Sequence, residues 1–254
     1  MPPRAGAKRT RGGELTRRPR GSLSSEEIIK GAFELAELES VDEMSMPGLG
    51  RHLGVGVTSI SWYFRSKEEL FEALTEEAAR RLYELLPEFE EYPWDEHLRE
   101  YFRTFRRIFL ENPVLCDLII LRSPMQSEQA MVRYIARLDR EIGVLRKAGF
   151  SAEQAARAYM TLSVYTRGCV LQERLHAMAG KPQDRDTSNS FEISTARGDL
   201  PTMTEVARYL SDSFATDADF EAGLSIIIDG LRGRLTEHKD ARRGAGRSAA
   251  QADR

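Results

Sequence analysis

Apolar residues recur at three- and four-residue spacing along most of this chain. Clean apolar–polar alternation never runs beyond a few positions, so the pattern predicts helices and no sheet. The expected helices are 25–38, 46–53, 57–63, 67–86, 94–111, 113–121, 126–148, 152–178, 204–212 and 217–235. Pro87, Gly149 and Gly180 act as stops, because proline cannot continue a helix and glycine accepts the reversal that ends one. Four hydroxyl-to-carboxamide or hydroxyl-to-carboxylate spacings mark starts: Ser24 with Glu27, Ser66 with Glu69, Ser151 with Gln154 and Thr202 with Glu205. Ser45 is the expected N-cap of the second helix, with Pro47 tolerated in its first turn.

The most informative pattern lies between Leu49 and Leu70. Leu49 and Leu53 share one helix face, and Ile60 and Phe64 share another, so both pairs point into one small core. Gly54 stands between them, where the chain must reverse, and Gly50 permits close approach where the two helices cross. Val57, Thr58, Ser59, Ser61, Trp62 and Tyr63 are left off the buried stripe. Short hydroxyls and amphipathic aromatics of this kind suit phosphates, base edges and thymine methyls. Trp62 has a second reading, as packing against neighbouring helices. Lys67 opens the following helix, where free N–H groups and a cation make an anion site.

Leu49, Leu53, Gly54, Val55, Ile60, Tyr63, Phe64, Lys67 and Leu70, with Ala32, Leu35, Val41, Met44 and Ser45 upstream, are similar in register to the N-terminal domain of the tetracycline-repressor (TetR) family. Gly50 stands where that family usually has alanine, Gly56 where serine is common, and Ser61 where a phosphate-contacting tyrosine is typical. The resemblance implies a helix-turn-helix unit in which Ser45, Val57, Thr58, Ser59, Ser61, Trp62, Tyr63 and Lys67 face DNA. It also implies a ligand-responsive regulator, usually a repressor, that binds a palindromic double-stranded operator as a homodimer. Its fold class is all-α, an N-terminal helix-turn-helix DNA-binding domain plus a larger C-terminal helical ligand-binding and dimerisation domain.

Charge refines this picture. The formal net charge is -3, yet residues 1–20 carry seven cations against Glu14, so the remaining chain is nine negative. A basic arm on an acidic body suits local contact with phosphate, or else a solvated tail. The expected layout is a disordered basic arm over 1–22, the DNA-binding domain over 23–70, the ligand-binding and dimerisation domain over 71–237, and a disordered tail over 238–254. A further mobile loop is expected from Gly180 to about Pro201. No apolar run approaches the roughly 18 residues needed to span a bilayer, and no signal peptide is evident, so the expected location is the cytoplasm. Cys116 and Cys169 read as buried small hydrophobes.

In the body, Tyr101, Phe105, Phe109, Leu118, Met125, Tyr134, Tyr159, Leu162 and Thr166 are the expected lining of an effector cavity, with Arg103, Arg122, Arg167, Gln172 and His176 to orient a polar group. The last helix carries a broad apolar stripe, Phe220, Leu224, Ile227, Ile228 and Leu231. It serves either a subunit interface or the subunit's own core. No nucleophile-elbow, P-loop or metalloprotease motif occurs, and the lone histidines have no partner at metal-ligand spacing. The expectation is therefore no enzyme, no cofactor and no metal, with an all-helical interaction module or a helical enzyme as rival readings.

Overall fold

The computed structural model describes residues 23–88, 92–122, 128–178, 200–210 and 216–252, the side chains of 207–210 and 238–252 excepted. The described residues form ten α-helices: α1 (Ser25–Leu38), α2 (Met46–Leu53), α3 (Val57–Ser61), α4 (Lys67–Leu85), α5 (Trp94–Glu111), α6 (Pro113–Cys116), α7 (Glu128–Ala148), α8 (Ala152–Met178), α9 (Pro201–Leu210) and α10 (Asp217–Ala252). A π-helical turn, Asp117–Leu121, continues α6. The expected arm, the loop after Met178 and Met125 lie outside the described residues. The chain divides into two compact units, 1–74 and 75–254, and α4 runs through the boundary.

The first unit is held by a small apolar core. Ile28, Ala32, Phe33 and Leu35 of α1 meet Leu49 of α2, Ile60 of α3, Phe64, and Leu70 and Leu74 of α4, all buried. Full burial of one such aliphatic side chain stabilises by about 1.5–3 kcal/mol, so these few residues carry the unit. Ser24 caps α1 with a complete capping box. A Cβ added at Gly31 would collide with the Leu53 side chain, so the glycine is what lets α2 lie close against α1.

The second unit is organised by α5. Leu98, Tyr101, Phe102, Phe105, Ile108 and Phe109 form one wide buried stripe, matched from α8 by Ala155, Ala158, Tyr159, Leu162, Thr166 and Val170. Flanking that stripe, α5 carries a polar ladder against α10. Asp95 pairs with Arg232, Arg99 donates to Ser225 at 2.8 Å, Arg103 forks onto Glu221 at 2.6 Å, and Arg106 reaches Asp217 at 2.7 Å. Ascending numbers on α5 meet descending numbers on α10, which fixes the two helices as antiparallel.

Several expectations about the elements need correction. The third helix stops at Ser61 rather than Tyr63, with the next residues turning to bring Phe64 into the core. The sixth is α-helical only to Cys116. It then widens into the π turn, where Asp117 is drawn inward onto the Arg174 fork at 2.6 Å. The ninth helix starts at Pro201, whose fixed φ suits the first helical position. The Thr202–Glu205 box therefore does not form, and Thr204 donates to the Leu200 carbonyl instead. At Ser66 only the hydroxyl half of the box exists, because the Glu69 carboxylate accepts from the backbone of Arg65. The last helix continues to Ala252, correcting the expected disordered tail over 238–254. Its Lys, Ala, Arg and Gln residues are good helix formers and no proline interrupts them.

Candidate nucleic-acid interface and effector core

Gly54 adopts φ +67° at the C-cap of α2, and its N–H and that of Val55 close the helix onto Arg51 and Gly50. This left-handed residue turns the chain from α2 into α3. A Cβ at Gly50 would press the Val55 carbonyl oxygen at 3.1 Å, so the turn is tight there as well. Ser45 caps α2, its hydroxyl accepting from the Gly48 N–H at 3.1 Å. Ile60 and Phe64 anchor α3 from below. Val57, Thr58 and Ser59 are exposed above them, Trp62 is 80% exposed, and Ser61, Tyr63 and Lys67 are partly covered.

Two hydroxyls on this face are already engaged. Ser61 donates to the Val57 carbonyl at 3.0 Å, one turn back in its own helix. Tyr63 donates a very short hydrogen bond to the carbonyl of Leu23, the first described residue after the arm. The side chains left exposed on this face are thus Val57, Thr58, Ser59 and Trp62, while the Tyr63 hydroxyl is tied to the Leu23 carbonyl. Lys67 sits at the start of α4 with its ammonium 5.1 Å above the Phe71 ring. Arg51 and Arg65 are exposed cations that the periodicity did not single out, since arginines off the apolar stripe look alike in sequence. Residues 23–74 hold only four Lys or Arg against ten Asp or Glu.

In the second unit, Tyr101, Phe105, Phe109 and Tyr159 come together as a packed aromatic cluster, with ring centroids 4.9–6.4 Å apart, and Phe102 joins it. Leu118, Leu162 and Thr166 are fully buried, and the Thr166 hydroxyl has no hydrogen-bond partner. Arg122, the residue after the π turn, and His176 of α8 are exposed. Two arginines stack on the cluster's edge: Arg167, expected from the sequence to orient a polar group, lies over Phe105 at 5.5 Å, and Arg137, which the sequence did not single out, lies over Tyr101 at 4.9 Å.

Beside Tyr101 lies a buried charge chain that sequence reading missed, since its members are 44 positions apart. The His97 ring nitrogen is 2.7 Å from a Glu141 carboxylate oxygen, and the other oxygen is 2.9 Å from Arg137 Nε, close but off the line of a hydrogen bond. Arg137 also donates to the Pro87 carbonyl, just past α4, at 3.1 Å, and Arg140 pairs with Glu88. Burial, reinforced by the neighbouring Tyr159, raises the Tyr101 phenol well above its usual value. Burial likewise raises Tyr159, and it pushes Tyr83 up to about 12. These phenols stay protonated across the physiological range. Among the described residues no group of His, Cys, Asp and Glu is arranged to hold a metal, and no helix is long and apolar enough to cross a membrane.

The last helix corrects an expectation. Phe220, Leu224 and Ile228 are buried in their own unit, facing α5 and α8, and Ile227 and Leu231 are half-buried. The apolar surface open to a partner is a different stripe. On α10 it is Ala222, Ile226, Gly230 and Gly233, and on α8 it is Met160, Val164, Gly168 and Leu175. Tyr165 stacks on Phe220 at 5.7 Å and fastens the two helices side by side. A Cβ at Gly223 would strike its hydroxyl.

Residues 28–74 match the family described as bacterial regulatory proteins, tetR family, and residues 86–235 match the tetracyclin repressor-like C-terminal domain. An HTH-type transcriptional repressor of Mycobacterium tuberculosis is 38% identical over 226 residues, covering 89% of this chain and 86% of that protein. The class A tetracycline repressor protein of transposon 1721 from Escherichia coli is 29% identical over 84% of this chain and 92% of its own. Among solved structures, ActR of Streptomyces coelicolor in complex with actinorhodin is 26% identical with a TM-score of 0.66, covering 85% of this chain and 99% of that one.

Proposed function

The chain belongs to the TetR family of bacterial regulators, and from that premise we propose that it is a transcriptional repressor that leaves its operator when a small molecule binds the second unit. The observation that carries the DNA half is the left-handed Gly54, which sets α3 on a buried Ile60–Phe64 footing with Thr58, Ser59 and Trp62 outward. A helix so mounted enters a major groove and presents three or four side chains to base edges. A single α3 reads few base pairs. Two copies about 34 Å apart read a palindrome, so the functional unit is a homodimer joined through the open stripes of α8 and α10.

The effector half rests on the aromatic cluster and the orphan Thr166 hydroxyl, with ActR bound to actinorhodin as a relative's precedent for a ligand. Arg137 stacks on that cluster and also holds the chain at the end of α4. A ligand that moves Arg137 therefore acts on the helix that begins at the DNA-reading unit. A differential affinity of about 1–3 kcal/mol between two conformations changes DNA affinity roughly 5- to 150-fold.

Phosphate contact draws on the arm. Ten carboxylates against four Lys or Arg over 23–74 leave that unit acidic, so the seven cations of residues 1–20 supply the neutralising charge. The test is fluorescence anisotropy on a labelled duplex from upstream of the coding gene, at several salt concentrations. The expected log–log slope is about -0.9 per neutralised phosphate. Removing residues 1–20 flattens it by several such increments, and Trp62→Ala with Lys67→Ala abolishes the specific complex. A flat salt dependence, or specific binding undisturbed by the double substitution, overturns the reading.

A further inference from the structure

The first turn of α5 and the C-terminal half of α7 enclose a half-open cleft of about 660 Å³. None of the rings of the aromatic cluster lines it. One wall is aromatic: Tyr92 and Trp94 flank Pro93, and Trp94 is held in place edge-on against Phe150 at 5.1 Å. The buried imidazole of His97, fixed by Glu141, also lines the cleft. The other wall is one face of α7. Gly143 stands in mid-helix there and lines the cleft with nothing within 4 Å of the place where a Cβ would be, and so leaves open space in that wall.

The two ends of that face differ in charge. Asp139 and Lys147 are two helical turns apart, about 12 Å along the axis, with Gly143 midway. Lys147 is exposed and has no acidic partner among the described residues, whereas Arg140 is committed to Glu88. A slot with aromatic faces, a cation at one end and a carboxylate acceptor at the other fits one kind of molecule. We propose that this cleft is a second small-molecule site, distinct from the aromatic cluster, and that it takes a planar aromatic hydroxy acid. The ring lies between Trp94 and Gly143, the ligand carboxylate meets Lys147, and its hydroxyl donates to Asp139.

The test is calorimetric titration of the full chain with 6-hydroxy-2-naphthoate. The expected result is saturable binding at one site per chain. Lys147→Gln, and replacement of the probe by 6-hydroxy-2-naphthamide, each weaken it about tenfold. Gly143→Phe fills the slot and abolishes binding, with the thermal melt confirming that the variant folds. Should Gly143→Phe fail to fold, 5-fluorotryptophan labelling of the unsubstituted chain decides. The Trp94 fluorine resonance, assigned with Trp94→Phe, shifts on titration while that of Trp62 stays still. Binding that survives Gly143→Phe, equal affinity for acid and amide, or an unmoved Trp94 resonance overturns the proposal. DNA release is not the readout, so a failure here leaves the repressor reading intact.

Discussion

At the scale of single residues, the structure concentrates its demands at positions where one backbone angle or one buried charge decides the outcome. Gly54 is the clearest. Its φ of +67° disfavours every L-residue with a Cβ, while the space around it is open. Gly54→Ala therefore incurs a conformational cost without a clash, about 1 kcal/mol. A thermal melt is expected to show a drop of a few degrees for the transition of the first unit, and no drop means the turn relaxes elsewhere. Glu141 is the second. It is 0% exposed and sits between His97 and Arg137, so Glu141→Leu leaves two cationic or polar partners buried without their anion. Breaking a buried pair from one side costs about 3–5 kcal/mol, read as a lowered urea midpoint, whereas an effect below about 1 kcal/mol contradicts the buried charge chain. Gly54 was legible in the sequence because a turn glycine sits at a fixed place after an apolar pair. Glu141 was not, because a carboxylate on a helix reads as solvated unless its distant partner is known. Nor could sequence show that the Ser61 and Tyr63 hydroxyls donate inward, which depends on rotamers rather than on residue type.

At the scale of elements, helix positions were legible wherever periodicity and a cap agreed, as at α1, α2 and α8. They went astray where a local preference competed. Pro201 set an earlier start than Thr202, and the inward turn of Asp117 onto Arg174 widened the end of α6. Thr216 and Asp219 form a capping box at the head of α10, with aspartate at the third position in place of the glutamate or glutamine that makes such a box readable in sequence. The charge content of an element also sets a pH limit. In α4, Glu77 accepts from Arg80 and Arg81, and chiefly the Arg80 hydrogen bond lowers its carboxyl from near 4.5 to about 2. A carboxyl depressed on folding contributes stability that is complete above its unfolded value and is lost as pH falls through its folded one. The expected result is that Glu77→Gln lowers stability at pH 7. The gap from the parent should shrink as acid is added between about pH 4.5 and 2, followed by circular dichroism. A gap that stays constant across that window assigns the loss to packing. Glu77 is partly open to solvent, so the effect is that of a surface network and is screened by salt.

At the scale of the whole molecule, the unexpected result is that α10 has two apolar faces. The stripe most visible in sequence, Phe220, Leu224 and Ile228, is the one the chain uses for its own core, because those large side chains fill the space beside α5 and α8. The second stripe is built of small residues around Ile226, and glycines such as Gly230 and Gly233 carry no weight in a reading that looks for large hydrophobes. Open space surrounds both glycines, and on α8 Met160, Val164 and Leu175 continue the exposed surface. In the proposed homodimer these exposed stripes meet, since exposed apolar surface favours association and small residues let two helix axes approach closely. The two faces separate experimentally. Ile226→Asp places a charge on the open face. It is expected to leave the melting temperature of the isolated subunit near that of the parent while converting dimer to monomer in sedimentation velocity at micromolar concentration. Leu224→Ala removes a fully buried side chain and is expected to cost about 2–5 kcal/mol of stability whatever the oligomeric state. A monomeric Ile226→Asp variant also loses cooperative occupancy of paired half-sites, because one recognition helix alone holds too few phosphates and base edges. If Ile226→Asp remains dimeric while a substitution elsewhere dissociates the protein, the subunits meet through another surface, and the spacing of the two α3 helices must be derived from that one instead.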